Sequence, residues 1–331
     1  MKKISPEESI LIAGARGMAG SAVYRNLINS GYGNKKYGGK IFTPSSKELN
    51  YLDIFSVEEW FKENNPSVVV VAAAKVGGIL ANSTQQADFL LQNIKIQTNI
   101  IETAWKNKVK RLLFLGSSCI YPKFCQQPIK EEYLLDGALE KTNEGYAIAK
   151  ITGLKLCENL RDQYGFDTLS LMPTNLYGPG DNYHPKNSHV IAALIKKFHD
   201  AVLNKEKTVT CWGSGLPRRE FLHADDLGAA VVFCLEHWDP SSRDAPMDSN
   251  GHVLNHLNVG TGTDISIKEL SLKIASITGF KGDIFWDKSK PDGTPRKLLN
   301  ISKIKSIGWS PKVTLKEGLS KTIVKYKEQA Y

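Results

Sequence analysis

Tyr146 and Lys150 lie four residues apart in the chain, a spacing that suits the transfer of a proton. Residues four apart are neighbours on one face of a helix. A free tyrosine, with a pKa of about 10, exchanges protons poorly at neutral pH, and the positive charge of Lys150 would favour its phenolate. Ser117, which follows the apolar run Arg111–Leu115, could hold a carbonyl oxygen beside the phenol. The three residues predict chemistry at a carbonyl group; the alternative is a chance pair on an exposed helix.

A glycine-rich turn near the start of the chain predicts a dinucleotide site. The apolar run Ser9–Ala13 is typical of a buried strand, and the residues from Ser21 to Asn29 are compatible with a helix. Glycines between a strand and a helix let the backbone approach a pyrophosphate at the helix N-terminus. The spacing is G-x-x-G-x-x-G rather than G-x-G-x-x-G, and the alternative is a glycine turn in a coil. The turn consists of Gly14, Ala15, Arg16, Gly17, Met18, Ala19 and Gly20.

The segment after the second predicted strand favours NADPH over NADH. In an NAD site, an acidic residue beyond this strand binds the ribose 2′-hydroxyl. Lys40–Thr43 is instead followed by Pro44, Ser45, Ser46 and Lys47. Ser46 and Lys47, together with Arg16, suit a 2′-phosphate. The alternative is a solvated surface loop.

Strands and helices alternate along the first half of the chain at the spacing of a parallel sheet. The β-branched run Val68–Ala73 suits a central strand that is buried on both faces. We predict helices over Asp88–Lys106 and Thr142–Gly165, the second of which carries Tyr146 and Lys150, and a strand over Leu169–Met172. The expected fold class is α/β, with a doubly wound, Rossmann-like parallel sheet.

The character of the chain changes after Gly178, where loops rich in Asn, Pro and Gly alternate with short elements. A helix predicted over His223–His237 and a strand predicted over His256–Gly260 would return to the sheet. We therefore expect an NADP-binding domain over residues 1–177 and about 223–262. A smaller mixed α/β lobe for the substrate would be formed by residues of about 178–222 and 263–331.

Composition is that of an ordinary globular protein of 331 residues, with 41% hydrophobic and 23% charged residues. The first residues lack the apolar core of a signal peptide, and no stretch has the length of apolar residues that spans a bilayer. Five cysteines without C-x-x-C spacing predict neither disulfides nor a metal site, which fits a reducing cytoplasm. The net charge of +9 is scattered rather than arranged in a stripe, which argues against nucleic-acid binding.

Several longer motifs carry a resemblance to a known family. Together with the glycine-rich turn and Tyr146–Lys150, they resemble the GDP-L-fucose synthases, a branch of the extended short-chain dehydrogenase/reductases. The resemblance extends from about residue 9 to beyond 320. Two positions depart from some bacterial members: Ala15 stands where histidine is common, and Ser46 where an arginine can meet the 2′-phosphate. The motifs cover residues 72–79, 116–122, 173–179, 187–191 and 290–297.

The resemblance implies a reaction and a set of contacts. The chain would convert GDP-4-keto-6-deoxy-D-mannose to GDP-L-fucose, by epimerisation at C3 and C5 and NADPH-dependent reduction at C4, as a homodimer. The implied substrate contacts are Lys197, Trp212, Arg219 and Asp292, although Trp212 could equally pack in a structural turn. The implied cofactor contacts are Gly14, Ala15, Arg16, Gly17, Met18, Ala19, Gly20, Ser46, Lys47, Leu115, Gly116, Ser117, Ser118, Lys150, Pro173, Thr174, Asn175, Leu176 and His189.

Cys119 and His189 would carry the epimerisation. Related dehydratases have an acidic residue near the serine, whereas here a thiol follows two residues after Ser117. A thiolate can remove a carbon-bound proton; the alternative is a small buried apolar residue. The resemblance assigns His189 as the acid on the opposite face, with helix capping as the alternative. His184, His199 and His223 are weaker candidates, and Arg296 and Lys297 are further candidates for phosphate contacts.

Two other functions stay open at this level. One is a GDP-colitose-type synthase, which epimerises only C5 of a 3-deoxy sugar before reduction. The other is a non-catalytic NADP(H)-binding protein that keeps the fold.

Overall fold

The structure is a computed structural model that describes residues 2–184, 188–290 and 292–330. Asn187 and Pro291, which belong to two of the sequence motifs, lie outside the described residues. The strands are β1 (Ser9–Ala13), β2 (Lys40–Phe42), β3 (Val68–Val71), β4 (Arg111–Leu115), β5 (Thr168–Pro173), β6 (Asn175–Tyr177), β7 (Thr208–Trp212), β8 (Arg218–Arg219), β9 (Phe221–His223), β10 (His256–Val259), β11 (Ile265–Ser266), β12 (Asp283–Asp287) and β13 (Arg296–Lys297). The helices are α1 (Met18–Asn29), α2 (Ile54–Asn64), α3 (Ile79–Thr84), α4 (Gln86–Lys106), α5 (Glu144–Tyr164), α6 (Val190–Leu203), α7 (Ala224–His237), α8 (Ile267–Thr278), α9 (Ser302–Ser306) and α10 (Leu315–Ala330).

Six strands form one parallel sheet in the order β10-β5-β4-β3-β1-β2. All four residues of β3 are buried, as the β-branched run predicted. The chain leaves β1 for β2 on one side and then crosses to β3 on the other. This is the switch point at which open parallel sheets bind ligands beyond the carboxyl ends of their strands. The predicted doubly wound fold class is confirmed.

Helices flank the sheet, with α4 packed against α5 and α1 packed against α7. Helix α5 begins at Glu144 rather than at the predicted Thr142. The preceding residues, Lys141–Asn143, form a tighter 3₁₀ turn in which the Glu140 side chain accepts a hydrogen bond from the Thr142 N–H at 3.3 Å. The helix ends at Tyr164 and is capped by Gly165, which has a φ of 67°. Tyr146 and Lys150 therefore lie in its first two turns.

The buried apolar residues form two cores. The larger core lies around the sheet, and the smaller one joins α6, α8 and α10 to β7. The predicted boundaries assign residues 263–331 to the lobe, but Leu299, Ile301, Ile304 and Trp309 belong to the larger core. This differs from the prediction because α9 packs beside β10, at the edge of the sheet. The C-terminal part of the chain thus contributes to both cores.

A buried carboxylate ties the segments that pass between these cores. Glu220, between β8 and β9, is 0% exposed. It accepts hydrogen bonds from the backbone N–H groups of Thr261 and Gly262, both at 2.6 Å, and of Leu299 at 2.9 Å. Burial raises the pKa of this carboxyl, and the three N–H groups oppose the rise. Glu220 is thus satisfied by backbone from two later parts of the chain.

In the part of the chain that the structure describes, no helix combines the length and the apolar character needed to cross a membrane.

Candidate active site

The glycine-rich turn has the shape of a phosphate cradle. Gly14 has a φ of 86°, and a Cβ added there would lie 2.7 Å from the Cα of Ala73. A Cβ on Gly20 would lie 2.2 Å from the carbonyl oxygen of Gly14. The N-cap of α1, Gly17, offers no side-chain hydrogen bond, and the first turn holds no acidic residue. The first N–H groups of α1 are therefore free to bind an anion, which fits the pyrophosphate of a dinucleotide.

The segment after β2 lies within electrostatic reach of this turn. Arg16, Ser46 and Lys47 are all exposed. Glu48 accepts a hydrogen bond from the Ser45 N–H at 2.6 Å. Hydrogen bonds from Ser45 and, more weakly, the charge of Arg16 lower the pKa of Glu48. Sequence reasoning found no acid directly after β2; Glu48 lies nearby, but its carboxylate is held by Ser45.

Lys150 is buried under the end of β4. Its side chain is 3% exposed, and its Nζ donates to the Leu115 carbonyl at 2.8 Å. The same nitrogen lies 4.8 Å from the ring centre of Phe114 and 5.9 Å from that of Tyr146. Burial lowers the pKa of Lys150 to about 8. The ammonium is therefore still the main form at neutral pH, although deprotonation costs less than for a solvated lysine.

Tyr146 differs from the expectation drawn from its spacing to Lys150. Burial raises the pKa of the phenol; the nearby Cys119 adds to the rise, and the hydroxyl of Ser117 opposes it. Burial in a low-dielectric site disfavours the phenolate more than any neighbour favours it. The phenol is thus neutral at pH 7 and able to donate a proton. The ring of Phe89, which sequence reasoning missed, packs edge-on at 6.4 Å between ring centres.

Cys119 lies beside this phenol with two nitrogen donors on its sulfur. Ser117 caps a short 3₁₀ turn by accepting a hydrogen bond from the Cys119 N–H at 3.2 Å. The Sγ of Cys119 is 3.3 Å from Nδ2 of Asn143 and 3.6 Å from Nζ of Lys297. Asn143 was missed, although its place just before α5 is a usable signal. Lys297, expected near a phosphate, lies against the thiol instead.

A small cavity opens at this sulfur. Its volume is about 50 Å³. The lining combines residues of the sheet domain with three from the far end of the chain, Thr294, Arg296 and Lys297. Cys119 therefore lies where the two parts of the molecule meet.

His189 occupies the N-cap position of α6 but makes no side-chain capping bond. Its Nδ1 lies 3.6 Å from Oδ1 of Asp181. Across the described ranges, no hydrogen bond or ion pair joins His189 to Cys119 or Tyr146, so the structure does not bring these groups into contact. Two of the weaker candidates, His199 and His223, are buried.

The residues expected to bind substrate lie together on the lobe. Trp212 is 57% exposed, with Nζ of Lys197 at 5.4 Å and Nζ of Lys290 at 5.7 Å from its ring centre. Asp292 accepts hydrogen bonds from the N–H and the hydroxyl of Ser214, both at 2.7 Å. Burial lowers the pKa of the Arg219 guanidinium, and the charge of Asp292 opposes that change. Trp212 is thus not packed within a turn.

The segment after β5 reaches the same edge of the sheet as Ser117, because β5 and β4 are parallel neighbours. Pro173 ends the strand, and Gly116 after β4 approaches Met172 so closely that a Cβ would lie 2.4 Å from its sulfur. The side chains of Thr174 and Asn175 donate to the Glu220 carbonyl at 3.3 and 2.8 Å. These bonds fix the path of the chain from Pro173 to Leu176.

Comparison with known proteins adds a family and close relatives. A model of the NAD dependent epimerase/dehydratase family matches residues 10–248. A probable GDP-L-fucose synthase from Oryza sativa subsp. japonica is 50% identical over 320 residues, which cover 96% of this chain and 92% of that protein. The GDP-L-fucose synthase of Escherichia coli is 49% identical over 316 residues, with 96% and 95% covered. A solved GDP-mannoheptose C4 reductase from Campylobacter jejuni with NADP bound is 34% identical, has a TM-score of 0.84 and covers 98% of this chain and 99% of its own.

Proposed function

The chain belongs to the NAD dependent epimerase/dehydratase family, and from this premise we propose that it converts GDP-4-keto-6-deoxy-D-mannose to GDP-L-fucose with NADPH. Relatives named GDP-L-fucose synthase share about half of its residues over nearly the whole chain. The observation that carries the proposal is the Cys119 thiol beside Ser117 and Tyr146. A plain ketone reductase has no use for a second proton-transfer group at this place.

The cofactor fits the residues around the glycine-rich turn. The free N–H groups at the start of α1 suit the pyrophosphate, and Arg16, Ser46 and Lys47 suit the 2′-phosphate. A solved relative that is 34% identical holds NADP, which supports the same choice here. When bound, NADPH supplies the hydride that reduces C4.

Epimerisation would use the thiol as base. The C4 carbonyl of the substrate acidifies the hydrogens on C3 and C5, and Cys119 would remove one of them. Asn143 and Lys297 support this role because the side chain of each can donate a hydrogen bond to the sulfur. Ser117 and the neutral phenol of Tyr146 would donate hydrogen bonds to the developing enolate oxygen. His189 would return a proton from the other face of the ring.

Reduction would use the phenol as acid. The neutral phenol of Tyr146 gives its proton to the C4 oxygen as the hydride arrives at carbon, so a raised pKa serves this direction of reaction. Lys150, mainly charged at neutral pH, would stabilise the phenolate that remains. Lys197, Trp212, Arg219 and Asp292 would bind the GDP part of the substrate on the lobe.

Membership of this family also supports three assignments that concern the location, assembly and domains of the protein. We expect a cytoplasmic homodimer that binds neither nucleic acid nor membrane, and mass measurement by light scattering tests its assembly. The cofactor domain would comprise residues 1–177 and 223–262. The substrate lobe would comprise residues 178–222 and 263–331, with residues 299–309 returning to the sheet core.

One assay tests the reaction. Purified protein with GDP-4-keto-6-deoxy-D-mannose should oxidise NADPH and release GDP-L-fucose, identified by NMR of the product sugar. Oxidation only with the 3-deoxy keto-sugar would instead indicate a GDP-colitose-type synthase. If the protein binds NADPH but oxidises it with neither keto-sugar, the protein is non-catalytic.

A second experiment tests the thiol. In heavy water without NADPH, the wild type should exchange deuterium into C3 and C5 of the keto-sugar, and Cys119→Ala should lose this exchange. A positioned proton-transfer group contributes about 10²–10⁴-fold. Cys125→Ala is the control, because burial raises the pKa of that thiol and keeps it protonated. Exchange by Cys119→Ala above about a tenth of the wild-type rate would contradict the assignment.

A further inference from the structure

The turn after β6 carries Asp181 to the first turn of α1. Gly180 has a φ of 85°, and a Cβ added there would lie 3.8 Å from the Cα of Met18 and 3.9 Å from Oγ of Ser21. The Asp181 N–H donates to the Gly178 carbonyl at 3.2 Å. Oδ1 of Asp181 accepts from the Asn182 N–H at 2.7 Å. The carboxylate is therefore held by its own turn, next to the helix that fits the cofactor.

This carboxylate faces His189. The side chain of Asp181 is 3% exposed, that of His189 is 44% exposed, and Oδ1 and Nδ1 are 3.6 Å apart. Both Nδ1 of His189 and Oδ2 of Asp181 are buried without a hydrogen-bond partner. The enclosed side of the imidazole is thus the Nδ1 side, and its exposed part lies away from Asp181.

A carboxylate at Nδ1 decides which nitrogen carries the proton. It favours the tautomer with hydrogen on Nδ1 and leaves the lone pair on Nε2. The gap of 3.6 Å is longer than a hydrogen bond, and catalytic hydrogen bonds often shorten only when substrate binds. The pair has the parts of a base and its orienting acid.

A purely local role accounts for only one of the two carboxylate oxygens. Oδ1 is used by the Asn182 N–H, whereas Oδ2 is buried and unused. Another titratable neighbour is Tyr183, whose pKa is raised by burial and, in smaller part, by Asp181 and Tyr326. Tyr183 stays neutral and so does not compensate the carboxylate. Among the described neighbours, His189 places a ring nitrogen 3.6 Å from this carboxylate.

We propose that Asp181 is a positioning residue that fixes the Nδ1–H tautomer of His189 and so presents Nε2 as the proton-transfer atom. The proposal rests on the function proposed for His189. It assigns the turn that contains Gly180 and Asp181 a task at the candidate site. Asp181 itself would touch neither substrate nor cofactor.

A double-mutant cycle tests the proposal. In the wild-type background, Asp181→Asn should lower kcat for GDP-L-fucose formation about 10- to 100-fold and leave KM within about twofold. In a His189→Ala background, the same substitution should cost less than about twofold, because Asp181 acts only through His189. Equal losses in both backgrounds would show a purely structural role. A loss below twofold in the wild type would also overturn the proposal.

Nitrogen-15 NMR of the histidine rings tests the pair without any substrate. Asp181→Asn should reduce the fraction of His189 that carries its proton on Nδ1, with the signal assigned through His189→Ala. Asp248→Asn is the matched control, since Asp248 also accepts backbone N–H bonds in a turn and lies 3.2 Å from Nδ1 of a histidine, His252. An unchanged tautomer in Asp181→Asn would overturn the pair. If wild-type protein makes no GDP-L-fucose, the proposed function fails while this measurement still tests Asp181.

Discussion

Two regions of the molecule carry the candidate chemistry under opposite conditions. The floor, formed by Ser117, Tyr146 and Lys150, lies at the end of β4 and beneath the start of α5. Lys150 there is 3% exposed and bonded to backbone. The lobe face, formed by Lys197, Trp212 and Asp292, is open to solvent, with Trp212 57% exposed. The floor residues were predicted from their spacing and the lobe-face residues from the family resemblance, and the surroundings of the two sets differ.

The difference separates proton transfer from recognition. On the floor, burial moves both pKa values toward the neutral forms, raising that of Tyr146 and lowering that of Lys150 to about 8. A phenol whose phenolate is disfavoured stays neutral and can donate its proton. On the lobe face, Trp212 and Asp292 are exposed to solvent before a ligand arrives, although burial lowers the pKa of the neighbouring Arg219 guanidinium. We expect floor substitutions to change kcat and lobe-face substitutions to change KM.

Tyr146→Phe should have the largest effect on turnover. A small effect would contradict the division between a floor that transfers protons and a lobe face that binds substrate. NADPH oxidation with the keto-sugar should fall about 10²–10⁴-fold, because the proton donor to the C4 oxygen is lost. Fluorescence titration should show NADPH still bound. Tyr164→Phe, on the same helix but 54% exposed, is the control and should be near normal. Turnover by Tyr146→Phe within tenfold of wild type would remove the phenol from the mechanism.

Lys150→Met tests the burial of the floor through stability. The unfolded chain holds this proton up to the ordinary lysine pKa of 10.5, whereas the folded chain releases it near 8. Between these values the unfolded state binds more protons, so wild-type stability gains from rising pH. The shift corresponds to about 3 kcal/mol. The Met variant lacks this gain. The free energy of unfolding of wild type minus that of the variant should therefore increase with pH, by that amount over the full range.

Urea unfolding of both proteins at pH 7, 8.5 and 9.5 follows the part of that change that falls below pH 9.5, which is about 2 kcal/mol. Titrations of all other groups are shared by the two proteins and cancel in the difference. The lost hydrogen bond to the Leu115 carbonyl adds only a pH-independent offset. A difference that stays constant across this range would show that Lys150 is solvated, and the floor would then resemble the lobe face.

Trp212→Ala sharpens the comparison from the other side. It should raise KM for the keto-sugar about tenfold and leave kcat within about twofold, since an exposed ring contributes binding area rather than a reacting group. Phe285→Ala, on the neighbouring strand β12 and 60% exposed, is the control. A fall in kcat with KM unchanged would place Trp212 among the floor residues in function.

Lys47→Glu should give the smallest effect, because its charge is exposed and screened by salt. The Kd for NADPH should rise about fivefold at low salt, while the Kd for NADH changes little. Lys62→Glu, an exposed lysine of α2, is the control. Equal selectivity in wild type and in Lys47→Glu would remove this residue from the 2′-phosphate site.

Local patterns predicted the strands that appear in the sequence as continuous apolar runs. The apolar run Ser9–Ala13 became β1 with the same bounds, and the β-branched run around Val68 became β3. In both, the local apolar pattern indicated a strand, although each strand pairs with distant parts of the chain. The start of α5 was missed by two residues because Glu140 stabilises a tighter turn through the Thr142 N–H. Such competition between a side chain and the helix does not show in hydrophobic spacing.

The surroundings of the candidate site were harder to predict because they arise between distant segments. Lys297 approaches Cys119 from 178 residues away in the chain, which no local motif encodes. The direction of the Tyr146 pKa depends on burial, whereas the spacing to Lys150 indicated only its charge. Leu299 and Ile304 belong to the sheet core, which is also a contact between segments that are distant in the sequence. The sequence could nominate candidate site residues, but it could not indicate how deeply each of them is buried.

The hydrogen bonds of the Glu220 carboxylate can form only late in synthesis, because its partners follow it in the chain. Its partners Thr261 and Leu299 follow 41 and 79 residues later. While a ribosome has delivered only the strands up to β9, this carboxylate has neither partner and remains hydrated. The hydrogen bond from the Leu299 N–H can therefore form only after residue 299 has emerged, well after β10 is available to pair with β5. A chain truncated before residue 299 would be expected to lose one backbone partner of Glu220 and the apolar residues that α9 and its flanks add to the sheet core, rather than only part of a substrate lobe.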